Sequence, residues 1–171
     1  TPANDHVEAL TVARVFGTTV PERHPRTRSS RAIKLRSIND IGAGRAVRVE
    51  YRYFWDNWAI KANTVELGYS RYFGELWLAD AYTRINKQSA ALFYSDNATT
   101  HTTYLSRNRQ LSTYTSLGLG AKLSYLAKRA PGSYELRLNG AYELVRYKFN
   151  DFTDTRNGAG GLYKFDANVL Q

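Results

Sequence analysis

The side chains best suited to move a proton near neutral pH are the three histidines, His6, His24 and His101, because an unperturbed imidazole titrates there. They are scattered, each in or near an expected loop or chain end. His101 has Ser95 and Asp96 nearby in sequence, the raw material of an acid–base pair, although a solvated loop accounts for the same residues. No HExxH, GxSxG or P-loop pattern occurs. Gly158-Ala159-Gly160-Gly161 lacks the strand–helix context and the following lysine of a phosphate cradle, and reads as a flexible loop. Asp151 and Asp154 are too sparse for a calcium loop. With no cysteine, disulfides and thiolate metal sites are excluded. No catalytic, cofactor-binding or metal-binding residue is expected, and the chain is not expected to be an enzyme.

The chemistry that remains is charge. Twenty-four Lys and Arg stand against 15 Asp and Glu, a formal net charge of +9 over 171 residues. That balance suits nucleic acid, an anionic membrane surface or a charged channel without choosing among them. What positions the charges is strand periodicity. Val47, Val49, Tyr51, Tyr53 and Trp55 alternate with Arg48, Glu50 and Arg52, a period of 2 with β-branched and aromatic residues on one face and charges on the other. Leu111–Tyr125 repeats the pattern, with Leu117, Leu119, Leu123 and Tyr125 against Ser116, Gly118, Gly120 and Lys122. Leu136, Leu138, Tyr142 and Leu144 alternate with Glu135, Arg137 and Glu143. Val65, Leu67 and Tyr69 alternate with Glu66, and Trp77, Ala79 and Ala81 with Asp80 and Arg84. Tyr163 and Phe165 alternate with Lys164 and Asp166. Val7–Phe16 and Arg31–Ile38 are weaker candidates, giving about eight strands. Only 4 prolines occur and none lies between Pro25 and Pro131, as suits a sheet whose backbone donors are all used.

The links between these strands alternate in length. Gly17–Ser30, Lys87–Arg109 and Asn150–Gly161 are long, while Ile41–Gly44, Gly74-Glu75 and Lys128–Ser133 are short; the brief Asp56-Asn57-Trp58 link breaks the pattern. Short turns at one end and long loops at the other characterise transmembrane β-barrels. No stretch approaches the roughly 18 apolar residues of a membrane helix, so any membrane span uses strands. The aromatics fall at two levels, Trp55, Trp58, Tyr163 and Phe165 at one end and Trp77 and Tyr125 at the other, as interfacial girdles do. The expected architecture is an all-β, antiparallel up-and-down transmembrane barrel, or a fragment of a larger one, occupying residues 1–171 as a single domain. Its interior is expected to be lined by Arg48, Glu50, Arg52, Glu66, Asp80, Arg84, Lys122, Glu135, Arg137 and Glu143. Its lipid face and girdles are assigned Val47, Val49, Tyr51, Tyr53, Trp55, Trp58, Trp77, Leu117, Leu119, Leu123, Tyr125, Tyr163 and Phe165. The lack of methionine and a terminus in mid-alternation suggest a processed or partial chain.

Tyr51-Arg52-Tyr53-Phe54-Trp55-Asp56-Asn57-Trp58-Ala59-Ile60, Thr64–Leu67, Gln88–Tyr94 and Gln110-Leu111-Ser112 resemble motifs of an uncharacterised family of Gram-negative outer-membrane β-barrels classed as a domain of unknown function. Arg26-Thr27-Arg28 resembles a basic segment of the same family. The resemblance covers roughly Val20 to Tyr125. Asn57 and Ala59 depart from the family's second acid and glycine. The resemblance implies a location in the bacterial outer membrane and a barrel fold, and carries no chemistry. The expected role is a passive channel, or a scaffold that anchors partner proteins. The expected partners are outer-membrane lipids and lipopolysaccharide, other envelope proteins or further barrel strands, and not nucleic acid. Arg23, Arg26, Arg28 and Arg31 form a basic cluster able to meet lipopolysaccharide phosphates through bidentate contacts. A soluble basic β-protein binding nucleic acid and a small outer-membrane barrel enzyme are the rival expectations.

Overall fold

The computed structural model describes residues 12–130, 134–155 and 160–171. His6, Val7–Thr11, the Pro131-Gly132 turn and half of the glycine-rich stretch lie outside them. Among the described residues the chain is all-β with antiparallel sheets and one 3-10 turn at Arg109–Leu111. A small hairpin of β1 (Val12–Val15) and β2 (Thr18–Pro21) stands apart from a seven-stranded sheet. The sheet comprises β3 (Ser30–Gly42), β4 (Arg45–Asp56), β5 (Lys61–Phe73), β6 (Trp77–Gln88), β7 (Tyr114–Ala130), β8 (Tyr134–Thr153) and β9 (Leu162–Leu170), and each strand pairs with its successor.

The turn between β3 and β4 shows how sequence sets the register. Ala43 and Gly44 both take positive φ, 53° and 66°, as the two central residues of a type I′ hairpin turn must. The β3–β4 and β5–β6 turns lie at one end of the sheet, where β7 also leads into β8. The 57–60 and 89–113 connections, with residues 154–155 and 160–161, gather at the other end with the β1–β2 hairpin. We call this second end the cap end.

One expectation about the strands is corrected. The described part of the Val7–Phe16 candidate does not join the sheet. It pairs with β2 and bridges Val15 to Ala98, because Ala13, Val15, Ala98 and Leu105 bury one another with Val20 packed against them. The presumed loop Gly17–Ser30 therefore contains a strand, and the sheet has seven strands rather than about eight. No closed barrel forms among the described residues: β3 pairs only with β4 and β9 only with β8, leaving an open sheet with two free edges.

The sheet is inverted relative to a soluble one. On β5 and β7 the polar or small positions are buried, with Glu66 7 % and Ser116 8 % exposed, while Leu67 and Leu119 are 49 % and 50 % exposed. Among the described residues each sheet strand contacts its ladder neighbours, and no second layer covers the apolar face. A soluble sheet buries its apolar face against such a layer.

Candidate functional site: a charged sheet face beneath a motif-built cap

Side chains directly opposite one another in a ladder share a face. The register sets Arg48 opposite Gly68, Glu50 opposite Glu66, Glu66 opposite Arg84, Asp80 opposite Lys122, and Glu143 opposite Gly120. The two opposed glutamates would repel, but each is claimed by cations. Glu50 meets Lys34 at 2.8 Å and Arg36 at 3.5 Å. Glu66 accepts from Arg48 at 2.9 Å through one oxygen and from Arg84 at 2.8 Å through the other. Arg84 also reaches Glu143 at 3.6 Å, and Ser70 donates to Asp80 at 2.5 Å. Two glycines make this crossing geometry possible. A Cβ at Gly68 would lie 3.0 Å from the Arg48 guanidinium, and one at Gly120 would lie 2.3 Å from the Tyr82 ring. Both long side chains lie flat across a neighbouring strand where a side chain is missing.

The ten residues assigned to an interior, Arg48, Glu50, Arg52, Glu66, Asp80, Arg84, Lys122, Glu135, Arg137 and Glu143, share this face, Arg137 donating to Glu135 beyond a bulge between Leu126 and Lys128. Glu66 has both oxygens engaged, so the arrangement is a wall of fixed, compensated charge rather than an acid–base centre. Val47, Val49, Tyr51, Tyr53, Trp55, Trp77, Leu117, Leu119, Leu123 and Tyr125 share the opposite face.

Three residues of that apolar set lie elsewhere. Tyr163 and Phe165 are on the charged face: Tyr147 pairs with Phe165, and the two rings stack 4.6 Å apart. The partners of Tyr163 and Phe165 on β8 have changed phase. Leu136, Leu138, Tyr142 and Leu144 are even-numbered, whereas Val145, Tyr147 and Phe149 are odd-numbered. Arg146 consequently lies on the apolar face and binds Asp166 through two bonds of 2.8 and 3.0 Å. The consecutive Leu144-Val145 pair is the signal in the sequence that could have revealed this. The third residue, Trp58, belongs to no strand and sits in the cap.

The cap is built from the family-like motifs. Asp56, its side chain fully buried, accepts from the backbone of Trp58 (3.0 Å) and Ile60 (2.9 Å) with one oxygen and from Arg28 (2.7 Å) with the other. Arg28 lies 4.8 Å above the Trp58 ring, and the indole donates to Thr27 at 3.0 Å. Asn57 exchanges two bonds with Ser29. Leu92 donates its backbone N–H to Trp58, and Ala91 donates to Leu111. Gln88 spans to the carbonyls of Gln110 and Ser112. Ile60, Ala91 and Leu111 bury one another beneath Trp58, Phe93 and Tyr94. Motifs far apart in sequence are thus the parts of one plug, each residue type explained by a bond or a contact.

The cap also grips β8 and β9. Tyr94 donates to the Asp151 carbonyl at 3.0 Å. Burial, then the Asp151 and Asp96 carboxylates, pushes the Tyr94 hydroxyl well above its ordinary value. Arg107 binds Asp96 (2.8 Å) and the Thr153 carbonyl (2.7 Å) and lies 4.6 Å above the Phe152 ring. Arg109 donates to the Tyr163 hydroxyl at 3.1 Å. Asp96 is therefore held by Arg107, while His101 is exposed, so the trio near His101 does not assemble. His24 stacks on Trp58, with its Nε2 3.6 Å from the buried Glu22 carboxylate.

Fold and site together define an all-β meander with a charged face, an uncovered apolar face and a plug at one end. The chain belongs to the family described as "Protein of unknown function (DUF3570)", whose model matches residues 3–145. No curated protein and no solved structure matches the chain.

Proposed function

We propose that the chain forms part of the wall of a transmembrane antiparallel β-barrel in a Gram-negative outer membrane, serving as a passive channel or as a scaffold for partner proteins. The observation that carries this reading is the inverted burial. The apolar centre of β4–β7 is uncovered, and the charges lie on the less exposed face. A charge facing lipid at mid-membrane costs about 2–4 kcal/mol, and none occurs on the apolar face of the rows through Val49, Leu67, Thr83 and Leu119. In this reading the charged face lines a wet interior, the cap end with its long connections faces outward, and the free edges of β3 and β9 are joined by further strands. An unpaired edge is a template for strand addition, which makes the wall larger than these seven strands. No helix among the described residues is long and apolar enough to cross a membrane, so the crossing is made by strands. The test is extraction and gel mobility. The protein is expected to leave the envelope only with detergent and to run faster on an unboiled gel than on a boiled one. A soluble monomer without detergent overturns the proposal.

A further inference from the structure

The apolar face of the sheet is not uniform. Toward the end of the β3–β4 and β5–β6 turns it holds a groove of about 460 Å³, within the roughly 300–1,000 Å³ of ordinary ligand sites. Ala79, Ala81 and Ala121 of β6 and β7 give it a low floor. Tyr69 and Phe73 of β5 line one side, and Tyr142 and Leu170 the other. Arg71 lines the groove as well, its guanidinium 4.8 Å from the centre of the Phe73 ring. The ladder sets Arg45 directly opposite Arg71, so the two cations share this face, and like charges in that relation repel. Both are exposed, and neither forms an ion pair among the described residues. Arg45 donates to the Gly42 carbonyl at 3.2 Å. Asp80, beneath the floor, accepts from Ser70 on the charged face. One row nearer the turns, Phe73 pairs with Trp77 and Trp77 with Tyr125, so the two arginines stand beside an aromatic row of the kind found at membrane–water interfaces.

An apolar groove with one uncompensated cation on its wall and a second beside it calls for an occupant that is apolar along its length and anionic at one end. A second copy of the chain does not qualify, because an isologous contact centred there would bring Arg45 and Arg71 against their own counterparts. We infer that the groove binds an anionic phospholipid, one acyl chain lying over Ala79, Ala81 and Ala121 and the phosphate held by Arg71 with Arg45 beside it. Planar guanidinium donors match phosphate oxygens two at a time. A shared anion also turns the repulsion between the two arginines into attraction to a common partner. The inference rests on the membrane-wall reading, which sets this face against lipid and the turn end at the inner leaflet.

Trp55→Phe leaves Trp77 beside the groove and Trp58 in the plug at the opposite end. This protein is folded into phosphatidylcholine vesicles holding a rising fraction of phosphatidylglycerol brominated on its acyl chains. Brominated phosphatidylcholine is the reference for chance contact. Bromine quenches a tryptophan it touches, so Trp77 emission reports which lipid lies at the groove. Phosphatidylglycerol is expected to reach half-quenching at a fraction about fivefold lower than phosphatidylcholine does, the effect of about one cation at an anionic lipid. Arg71→Ala is expected to abolish that preference, Arg45→Ala to reduce it, and Arg71→Lys to keep part of it. Ala81→Phe fills the floor from an exposed position and is expected to weaken the quenching with both arginines in place. The difference in gel mobility between boiled and unboiled samples shows that each variant is folded. Equal quenching by the two lipids, an undiminished preference in Arg71→Ala, or unchanged quenching in Ala81→Phe overturns the inference. So does full relief of the quenching by inorganic phosphate at the concentration of the phosphatidylglycerol. A protein that inserts and shows no preference overturns the groove alone, whereas one that does not float with the vesicles overturns the membrane-wall reading and the inference with it.

Discussion

The centre of the sheet and its β9 edge follow opposite rules. In the middle of β4–β7, aliphatic and aromatic side chains take one face and charges take the other, while Arg45, Arg71, Lys61 and Lys87 join the apolar face only near the strand ends. On β9 the pattern is reversed: Tyr163, Phe165 and Ala167 join the charged face, and Lys164, Asp166 and Asn168 join the apolar one. The strands themselves are alike, since each alternates with a period of 2. The difference lies in what each strand meets at its cap end. At that end β4 and β5 meet in the motif-held 57–60 turn and β6 and β7 run into the 89–113 segment, whereas β8 and β9 end beneath Arg107, Arg109 and Tyr94. Their aromatic residues gather there and, with Tyr114 of β7, form one contiguous cluster of Tyr114, Tyr147, Phe149, Phe152, Tyr163 and Phe165. The charges displaced to the other face stay near its border. Arg146 and Asp166 lie one row from the row of Lys87, Thr115, Lys148 and Lys164.

The sharpest way to break this contrast is to place the same charge in one row of the sheet at two positions. Leu119, Leu144 and Asn168 are successive neighbours across β7, β8 and β9. If the centre faces hydrocarbon, Leu119→Arg costs about 2–4 kcal/mol, read as a lowered denaturation midpoint in lipid vesicles. Asn168→Arg, at a position already polar and bonded to the Tyr142 hydroxyl, is expected to cost less than half as much. Equal costs would mean that centre and edge share one environment, and the contrast would vanish.

How far the sequence speaks follows from the same contrast. Alternation reveals which residues of one strand travel together, because side chains flip at every step. On β4–β7 the ladder register groups Arg48, Glu50, Glu66, Asp80, Arg84 and Lys122 on one face, as alternation along each strand does. Alternation failed on β9, because which side faces which environment is settled by the neighbour's register, a long-range fact. Arg146 is the local clue, a charge in the middle of what looks like an apolar set. The turns were legible from Ala43-Gly44 and from the glycine before Glu75, while β2 was hidden in a polar, arginine-rich stretch. The motif residues from Trp55 to Ile60 and from Gln88 to Tyr94 gave no hint of their purpose until the fold set them against each other. Asp56 and Arg28 are 28 residues apart in sequence, and no periodicity connects them.

The cap's hold on the edge predicts an effect of intermediate size. Arg107 joins Asp96, the Thr153 carbonyl and the Phe152 ring, three contacts that an alanine cannot replace. Arg107→Ala is expected to cost about 1.5–3 kcal/mol, the range for hydrogen bonds to a charged group. Amide exchange should localise the loss, with faster exchange in 150–155 and 162–166 and unchanged protection in β4–β6. Uniform loss of protection across the sheet would mean that the cap stabilises the whole rather than the reversed edge.

The smallest expected effect isolates the same junction by one hydroxyl. Tyr94 donates to the Asp151 carbonyl, so Tyr94→Phe removes one bond worth about 1 kcal/mol and leaves the ring in place. Its pH dependence has a definite sign. Because the folded Tyr94 hydroxyl holds its proton above its ordinary value, the folded state binds more protons than the unfolded one above about pH 10, the unfolded tyrosine value. The stability it contributes is therefore fully present below about pH 10 and is lost as pH rises through the folded value. Other tyrosines titrate in the same window, so the quantity to measure is the stability difference between the native protein and Tyr94→Phe. It should be constant from pH 7 to 9 and shrink above about pH 10. A difference that stays flat through the alkaline range would place the Tyr94 hydroxyl in water, and the cap would then hold β8 through Arg107 and Thr113 without it.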